Sequence, residues 1–389
     1  MELQLAKRMQ ELAPYLFADL DRKKSEAQAR GVDVISFTIG DPDLPTPDLI
    51  VEAGQAALAD PANHQYPVYA GSQVFRQAAA DWMKKRFSLE LDPRKEIVAL
   101  IGTKEGIAHL SFALIGPGDV ALCPEPGYPV YAIASKLAGG EVYALPLVEQ
   151  NSFLPDLEAI PDQVADRAKL MWINYPNNPT GATADRDFLV KAVDFARRHR
   201  LVLCADCAYS EIAFDGYRVQ SVLELPGARE VAVEFHSMSK TYNMTGWRSG
   251  FAAGRRDVVQ ALANLKSNLD SGVFQAVQVA SVAAMQSWPG HLSELNETYR
   301  RRRDLLVRGL SELGFRPPSP KATFYVWMPV PGGDDLAFTV RLLEETGVLV
   351  TPGSGFGPSG KGYVRFTLTV SEERIGQTLT RFKEAGIGG

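Results

Sequence analysis

The sequence has few cysteines, no long apolar run and no strong excess of one charge. Three cysteines among 389 residues, Cys123, Cys204 and Cys207, cannot form a disulfide framework and fit a reducing compartment. No stretch has the unbroken apolar character of a signal peptide or a membrane span, so we expect a cytoplasmic protein. A formal net charge of −5 argues against nucleic acids and anionic membranes as partners.

Several short patterns imitate known binding motifs, but each lacks an essential part. The run 355–362 resembles a P-loop without the final Ser or Thr that would bind magnesium, and a predicted strand rather than a helix follows it. Cys204 and Cys207 are spaced as C-x-x-C but lie in a predicted strand, where the two positions point to opposite faces. The arginines at 300–303 predict a solvated helix face paired with neighbouring glutamates. The five histidines have no metal-ligand spacing, so we expect no metal site. Because the P-loop-like run is incomplete, we expect no nucleotide site either.

The composition is that of an ordinary globular protein, with 46% hydrophobic and 22% charged residues. The length of the chain favours two domains over a single core. Apolar strand-like runs alternate with helical patterns, which predicts an α/β fold with a largely parallel sheet flanked by helices. The predicted strands of this sheet are 97–101, 120–123, 140–145, 170–174, 201–205, 231–235 and 250–253.

The segment 234–248 combines an amine, two hydroxyls and a guanidinium, from Lys240, Ser237, Ser239 and Arg248. A phosphorylated aldehyde cofactor needs these groups. The amine can form a Schiff base with the aldehyde, while the hydroxyls and the guanidinium can hold the phosphate. The alternative is a surface lysine in a serine-rich loop.

Two further apolar runs end in polar side chains that suit the same cofactor. Asp206 ends the run 201–206, where a carboxylate can pair with a pyridinium nitrogen and make the ring an electron sink. Tyr209 can hydrogen-bond the phenolic oxygen of the ring. Asn178 follows the run 171–174 at the carboxyl end of a strand, where open α/β sheets build their sites, and it would bond the same ring oxygen. The alternatives are a helix cap or turn at Asp206 and an ordinary turn at Asn178.

Other residue types suggest contacts to a phosphate, a ring and a carboxylate. Thr103 and Lys104 follow a strand and open a helix, so backbone N–H groups and the Thr103 hydroxyl can cradle a phosphate, although an ordinary strand–helix turn would look the same. Tyr128 can stack on the ring or be a core aromatic. Arg365 lies in an apolar strand and needs an anion, which favours a clamp on a substrate carboxylate over an exposed edge arginine. Gly40 leaves room for its backbone to reach that carboxylate.

The order Asn-Pro-Thr-Gly at 178–181, Asp-x-x-Tyr at 206–209 and Ser-x-Ser-Lys at 237–240 resembles the class I aminotransferases of the type I pyridoxal-phosphate fold. The resemblance extends over essentially the whole chain and implies pyridoxal 5′-phosphate as cofactor and a homodimer with shared active sites. A closer resemblance is to the LL-diaminopimelate aminotransferases. The segments that carry it are 14–17, 101–109, 126–131, 174–181, 237–248 and 266–272.

The resemblance implies roles for residues that the local patterns do not explain. Tyr66 would reach the phosphate of the neighbouring subunit, and Tyr15 and Asn268 would contact substrate or cofactor across the dimer. Lys104 would touch the substrate, and Thr103 stands where the family usually has Ser. The predicted catalytic residue is Lys240. The predicted cofactor-binding residues are Tyr66, Thr103, Lys104, Tyr128, Asn178, Asp206, Tyr209, Ser237, Ser239, Lys240, Arg248 and Asn268, and the predicted substrate-binding residues are Tyr15, Gly40, Lys104, Tyr128, Asn178, Asn268 and Arg365.

A second, smaller α+β domain is predicted beyond a long polar helix at 293–313. Its strand-like runs are 323–328, 348–350 and 363–368. The resemblance implies that the N-terminal arm packs with this part of the chain. We therefore predict a large cofactor-binding domain over 45–285 and a small domain built from 1–44 and 286–389.

The predicted reaction moves an amino group between an amino acid and 2-oxoglutarate by a ping-pong mechanism. The closer resemblance implies LL-diaminopimelate as the amino acid, and hence lysine biosynthesis. Alanine, aspartate and aromatic donors stay open, because no carboxylate in the sequence can be assigned to the distal ammonium of LL-diaminopimelate. A C–S lyase would share Lys240 and Asp206. A regulatory cofactor-binding domain is disfavoured, because no appended DNA-binding segment is visible.

Overall fold

In the computed structural model, which describes residues 3–10, 12 and 16–389, strands and helices alternate along most of the chain. The strands are β1 Ile35–Ser36, β2 Ile97–Leu100, β3 Val120–Glu125, β4 Glu141–Pro146, β5 Ala168–Asn174, β6 Val202–Asp206, β7 Ala232–Ser237, β8 Gly250–Gly254, β9 Tyr325–Pro329, β10 Val348–Leu349, β11 Thr351–Pro352 and β12 Tyr363–Thr367. The α-helices are α1 Lys7–Gln10, α2 Leu16–Ala29, α3 Asp48–Ala59, α4 Gln73–Phe87, α5 Thr103–Leu114, α6 Val130–Leu137, α7 Asp162–Ala165, α8 Arg186–Arg198, α9 Met238–Thr241, α10 Arg256–Leu269, α11 Gln275–Ser287, α12 Leu292–Glu312, α13 Asp335–Thr346 and α14 Glu372–Glu384.

The central sheet has seven strands in the order β2-β8-β7-β6-β5-β3-β4. Neighbouring strands run parallel except where β8 pairs antiparallel with β2 and β7. Strands of such a sheet read as nearly continuous apolar runs, because both faces are covered. The prediction of an α/β fold with a mostly parallel, helix-flanked sheet is confirmed.

Two hydrophobic clusters lie on the two faces of this sheet. In β5, Met171 and Ile173 belong to one cluster, while Leu170 and Trp172 belong to the other. This alternation follows from the two-residue period of a strand. Each fully buried large apolar side chain contributes on the order of 1.5–3 kcal/mol, so burial is the main force that holds the helices on the sheet.

A smaller sheet brings Arg365 towards the central one. Its strands β11-β12-β9 are antiparallel, and Arg365 in the middle strand lies opposite Thr351 and Trp327. The parallel pair β1 and β10 draws the start of the chain alongside, where the Thr351 hydroxyl donates to the Thr38 carbonyl at 3.1 Å. A third hydrophobic cluster combines Phe37 with residues from the C-terminal part. The domain boundaries themselves stay a prediction.

The prediction of a solvated arginine face is wrong for Arg302 and Arg303 of α12, which are both buried. Arg302 donates through Nη1 and Nη2 to the Asp43 carboxylate, at 2.7 and 2.8 Å. Arg303 Nη1 donates to Asp215 at 2.6 Å. These pairs tie α12 to segments that are far away in the sequence.

The cysteines and the glycine-rich run lie in ordinary structural elements. All three cysteines are free and buried. Cys204 lies in β6, whereas Cys207 lies one residue beyond its end, in a cluster on the other face of the sheet. The strand β12 follows the run 355–362. No described helix has the length and apolar composition that crossing a bilayer requires.

The carboxyl ends of three neighbouring parallel strands bring polar residues to one edge of the central sheet. Asn174 ends β5, Asp206 ends β6 and Ser237 ends β7. Asn174 lies directly opposite Asp206 in the register. In open α/β sheets ligands bind outside the carboxyl ends of the strands, so we expect the ligand-binding site at this edge.

Candidate active site

A cavity of about 390 Å³ opens at this edge of the sheet. The predicted site residues that line it are Gly40, Thr103, Lys104, Tyr128, Asn178, Asp206, Tyr209, Ser237, Ser239, Lys240, Arg248 and Arg365. Further lining residues, not predicted from the sequence, are Asp21, Ile39, Asp41, Tyr131, Asn174, Ala208, Thr245, Tyr325 and Phe356. Segments from the whole length of the chain therefore meet around one space.

Three predicted residues do not line the cavity or cannot be placed. Tyr66 is 87% exposed and borders a separate surface pocket. Asn268 is exposed in the last turn of α10, and its Nδ2 donates to the Asn264 carbonyl at 2.9 Å. Tyr15 lies outside the described residues. The family resemblance implies contacts across a dimer for these three residues, and those roles stay predictions.

Lys240 lies on the short helix α9 that directly follows β7. Its Nζ donates to the Gly40 carbonyl at 2.6 Å. Burial is the main cause that lowers the pKa of Lys240 to about 8; the Asp41 carboxylate opposes the shift, and the charges of Arg248 and Arg365 add to it. A substantial fraction of the amine is therefore neutral near physiological pH, which nucleophilic attack and proton abstraction both require.

Asp206 presents a buried carboxylate to the cavity. The Tyr131 hydroxyl donates to Oδ2 at 2.7 Å, and the Ala208 N–H donates to Oδ1 at 3.1 Å. Burial raises the pKa of Asp206 despite these bonds. The groups that donate to this carboxylate are a hydroxyl and a backbone amide rather than a cationic side chain. A buried carboxylate without a cation fits a ligand that brings a protonated nitrogen.

A cradle for an anion lies at the start of α5. Thr103 begins this helix, and the residue before it, Gly102, has no side chain that could bond the first-turn N–H groups, so these groups are suited to an anion. Ser237, Ser239 and Arg248 line the same cavity as Thr103. Glycine is favoured at 102, because its φ of +72° is a conformation that other residues rarely adopt and a Cβ would displace the Arg248 guanidinium. The hydroxyls, amides and guanidinium together fit a phosphate.

Arg365 is held rigidly beside the cavity. Its Nη1 donates to Asn178 Oδ1 at 2.7 Å, and its Nη2 donates to the Thr38 carbonyl. The guanidinium also lies 4.3 Å from the ring centre of Tyr325 and 4.7 Å from that of Phe356. A buried guanidinium of fixed orientation that lines a cavity fits a carboxylate ligand.

A chain of hydrogen bonds connects the strand ends with one another. Asn174 Nδ2 donates to the Asp206 carbonyl at 2.8 Å, and Asn174 Oδ1 accepts the Asn178 N–H at 2.8 Å. The Tyr209 hydroxyl lies 3.0 Å from that of Tyr325. Asn174 was overlooked as a site residue because its local sequence shows only a strand end. Tyr325 was overlooked because it reads as a core aromatic of a strand.

The family model for aminotransferase class I and II matches residues 32–382 of this chain. The LL-diaminopimelate aminotransferase of Desulforudis audaxviator is 56% identical over 379 residues, which cover 97% of each chain. The solved structure of substrate-bound BacF from Bacillus subtilis is 37% identical and superposes with a TM-score of 0.96 over the whole of both chains. A mutant aspartate aminotransferase of Thermus thermophilus is 30% identical, with a TM-score of 0.92 over 99% of this chain and 100% of that one. The resemblance seen in the sequence is confirmed, and this chain belongs to the class I and II aminotransferases.

Proposed function

We propose that this aminotransferase uses pyridoxal 5′-phosphate to move an amino group between LL-diaminopimelate and 2-oxoglutarate, in lysine biosynthesis. The observation that carries the proposal is a single cavity lined by the partly buried amine of Lys240, the buried carboxylate of Asp206, the anion cradle and the buried guanidinium of Arg365. The name of the relative from Desulforudis audaxviator supports the choice of LL-diaminopimelate.

The groups around the cavity match the parts of this cofactor. Asp206 would pair with the ring nitrogen, and its bond from Tyr131 fixes the carboxylate for that contact. The phosphate would lie in the cradle formed by the start of α5, the two serines and Arg248. When bound, pyridoxal 5′-phosphate supplies a ring that stabilises negative charge at the α-carbon of the substrate.

Side chains of the protein bind the substrate and move its proton. Arg365 binds the substrate α-carboxylate and thereby orients the Cα–H bond. Nζ of Lys240 would remove the proton from the α-carbon of the substrate and hold it for return. Asp206 would keep the ring nitrogen protonated. Asn178 accepts a hydrogen bond from Arg365 and lines the same cavity, so it would link the position of the substrate to that of the cofactor.

The cavity also offers groups for the distal end of LL-diaminopimelate. Nζ of Lys104 lies 5.9 Å from the ring centre of Tyr128 and suits the distal carboxylate. The carboxylates of Asp21 and Asp41 line the same cavity and suit the distal ammonium, for which the sequence offered no partner. Alanine or an aromatic donor has no distal charged groups and would gain none of these contacts, so the cavity favours LL-diaminopimelate over such donors.

An exposed apolar face supports a homodimer. Its side chains are Tyr66, Val68, Tyr69, Val74, Leu269 and Phe274. The segments 66–74 and 269–274 adjoin, because a Cβ on Gly272 would lie 3.1 Å from the Tyr69 Cα. Large apolar patches on a soluble enzyme commonly bind another protein. A second copy of this chain is the partner that we infer, since Tyr66 and Asn268 on the same face have predicted roles in a neighbouring site.

Sedimentation velocity tests this dimer. We expect the parent protein to be a dimer at the dilution used for activity assays, and Leu269→Asp to shift it towards an inactive monomer because a charge would be buried in the interface. Leu336→Asp is the matched control, since Leu336 is similarly exposed but lies on α13, and it should leave the dimer intact. A fully active parental monomer would contradict the proposal.

The pH dependence of aldehyde attachment tests the state of Lys240. Only the neutral amine attacks an aldehyde, so in cofactor-free protein the attachment rate of pyridoxal 5′-phosphate should rise through about pH 8 and then level off. Asp41→Asn should move this rise to lower pH, because the Asp41 carboxylate raises the pKa of Lys240. Stopped-flow absorbance measures the rate, with Lys240→Ala as the blank. A rate that keeps climbing towards about pH 10 would show an ordinary, solvated lysine instead.

Steady-state kinetics test Arg365. Arg365→Ala should lower kcat/KM for the amino donor about a hundredfold, which corresponds to on the order of 3 kcal/mol, because paired charge-assisted hydrogen bonds are lost. Arg302→Ala is the matched control, because it too removes a buried arginine. Arg302 pairs with the carboxylate of Asp43 and does not line the cavity. That variant should lose stability while kcat/KM stays within a few-fold of the parent. If kcat/KM of Arg365→Ala also stayed within a few-fold of the parent, the substrate α-carboxylate would have to bind elsewhere.

An amino-donor panel tests the proposed substrate. With 2-oxoglutarate as acceptor, we expect kcat/KM for LL-diaminopimelate to exceed the values for alanine, aspartate, glutamate and phenylalanine. If any of these four exceeds it by about tenfold, the substrate proposal fails and only the family assignment remains. Release of ammonia and pyruvate without an oxo-acid acceptor would instead identify a C–S lyase.

A further inference from the structure

Outside the cavity, Lys266 is a fully buried cation in the last turn of α10, with a side chain that is 0% exposed. Its Nζ donates to Glu105 Oε1 at 3.0 Å and to Asp270 Oδ2 at 2.8 Å. Burying an ammonium is costly unless partners of opposite charge surround it. The ammonium and both carboxylates must therefore stay in one arrangement.

Glu105 extends this arrangement to the turn that borders the cavity. It is the third residue of α5, and its Oε2 accepts the Ile101 N–H at 2.9 Å. Thr103 and Lys104, which follow Ile101 by two and three residues, line the cavity. A carboxylate that reaches back to an amide just before its own helix acts much as a capping box does, and it fixes how the chain enters the helix. Lys266 thus holds the turn through Glu105.

Asp270 extends the arrangement in the other direction. Its Oδ1 accepts the Gly272 N–H at 2.8 Å, so the turn after α10 is held by the same carboxylate. Burial alone would raise the pKa of Asp270, but the hydrogen bonds from Lys266 and Gly272 outweigh burial and lower it. Lys266 therefore joins α5, α10 and the turn after α10.

The same carboxylates could be taken for a metal site. Glu105, His109 and Asp270 have ligand atoms within 4.8 Å of one another. However, the Lys266 ammonium already lies within hydrogen-bond distance of both carboxylates. A divalent cation would have to displace or approach this fixed positive charge, which makes a metal role physically unfavourable.

We propose that Lys266 is a positioning residue that fixes the turn at 101–104 so that the turn can hold the phosphate of the cofactor. This inference rests on the proposed function, because the phosphate is that of pyridoxal 5′-phosphate. A buried ion pair often adds little net stability and can instead specify one arrangement of the chain. Here the arrangement specified is that of the helix start at which the predicted phosphate contacts lie.

Cofactor affinities with and without the phosphate test this role. Lys266→Met keeps the apolar stem and removes the ammonium. Absorbance titrations of the cofactor-free protein give the dissociation constants of pyridoxal 5′-phosphate and of pyridoxal. We expect the affinity for pyridoxal 5′-phosphate to fall about tenfold or more and that for pyridoxal to change by less than about threefold. An equal loss for both, or no loss for either, would overturn the proposal, because a merely structural role does not distinguish the phosphate.

Arg86→Met is the matched control. Arg86 Nε lies 2.9 Å from Glu211, the two side chains are only 10% and 4% exposed, and neither residue lines the cavity. We expect a lower thermal midpoint with both dissociation constants within about threefold of the parent. If this variant loses phosphate affinity as selectively as Lys266→Met does, the effect does not come from the turn at 101–104 and the proposal is wrong.

A variant that removes one charge of each sign provides the test if Lys266→Met fails to fold. If Lys266→Met does not fold, it is combined with Asp270→Asn, which removes one charge of each sign and leaves the bond from Ile101 to Glu105. The same selective loss is expected, and parental affinities would overturn the proposal. The parent separates the two proposals: a parent that does not bind pyridoxal 5′-phosphate refutes the proposed function. A parent that binds it, together with a variant of parental affinities, refutes only the role of Lys266.

Discussion

Charged groups from distant parts of the chain line one cavity, and the cost of removing them from water is the constraint that organises the structure. Lys240, Arg248 and Arg365 present positive groups, and Asp206 presents a negative one. Burial lowers the pKa of Lys240 and raises that of Asp206, because in both cases the charged form loses its solvation. A phosphate, a protonated ring nitrogen and a carboxylate would each meet a group of opposite charge at a different wall. Binding can therefore recover solvation energy that folding has removed.

Two sheets with different strand directions supply the two halves of this cavity. The parallel strands of the central sheet end together, so they place Asn174, Asp206 and Ser237 at one edge. The antiparallel small sheet supplies Arg365, which reaches across to Asn178. The segment after β1 completes the connection, because backbone carbonyls at 38–40 accept hydrogen bonds from both Arg365 and Lys240. The guanidinium of Arg365 and the amine of Lys240 are thereby held by the same short segment of backbone.

Local signals in the sequence were enough for much of the fold and the cavity, whereas long-range pairs were not predictable. The strands of the central sheet are apolar runs, and Lys240 lies in a short segment of unusual chemistry, so each can be recognised from its neighbours. Tyr131 could not be assigned to Asp206, because nothing local links residues 75 apart. Arg302 was misread for the same reason: its run looks like a solvated face until Asp43, 259 residues away, packs against it.

The proposed reaction depends on Lys240 as the amine to which the cofactor aldehyde would bond in this cavity. Borohydride reduction of the protein with bound pyridoxal 5′-phosphate, followed by proteolysis and mass-spectrometric mapping, measures the attachment site directly. We expect one stoichiometric phosphopyridoxyl group, located on Lys240. Attachment to another lysine, such as Lys104, with Lys240 left unmodified would contradict it.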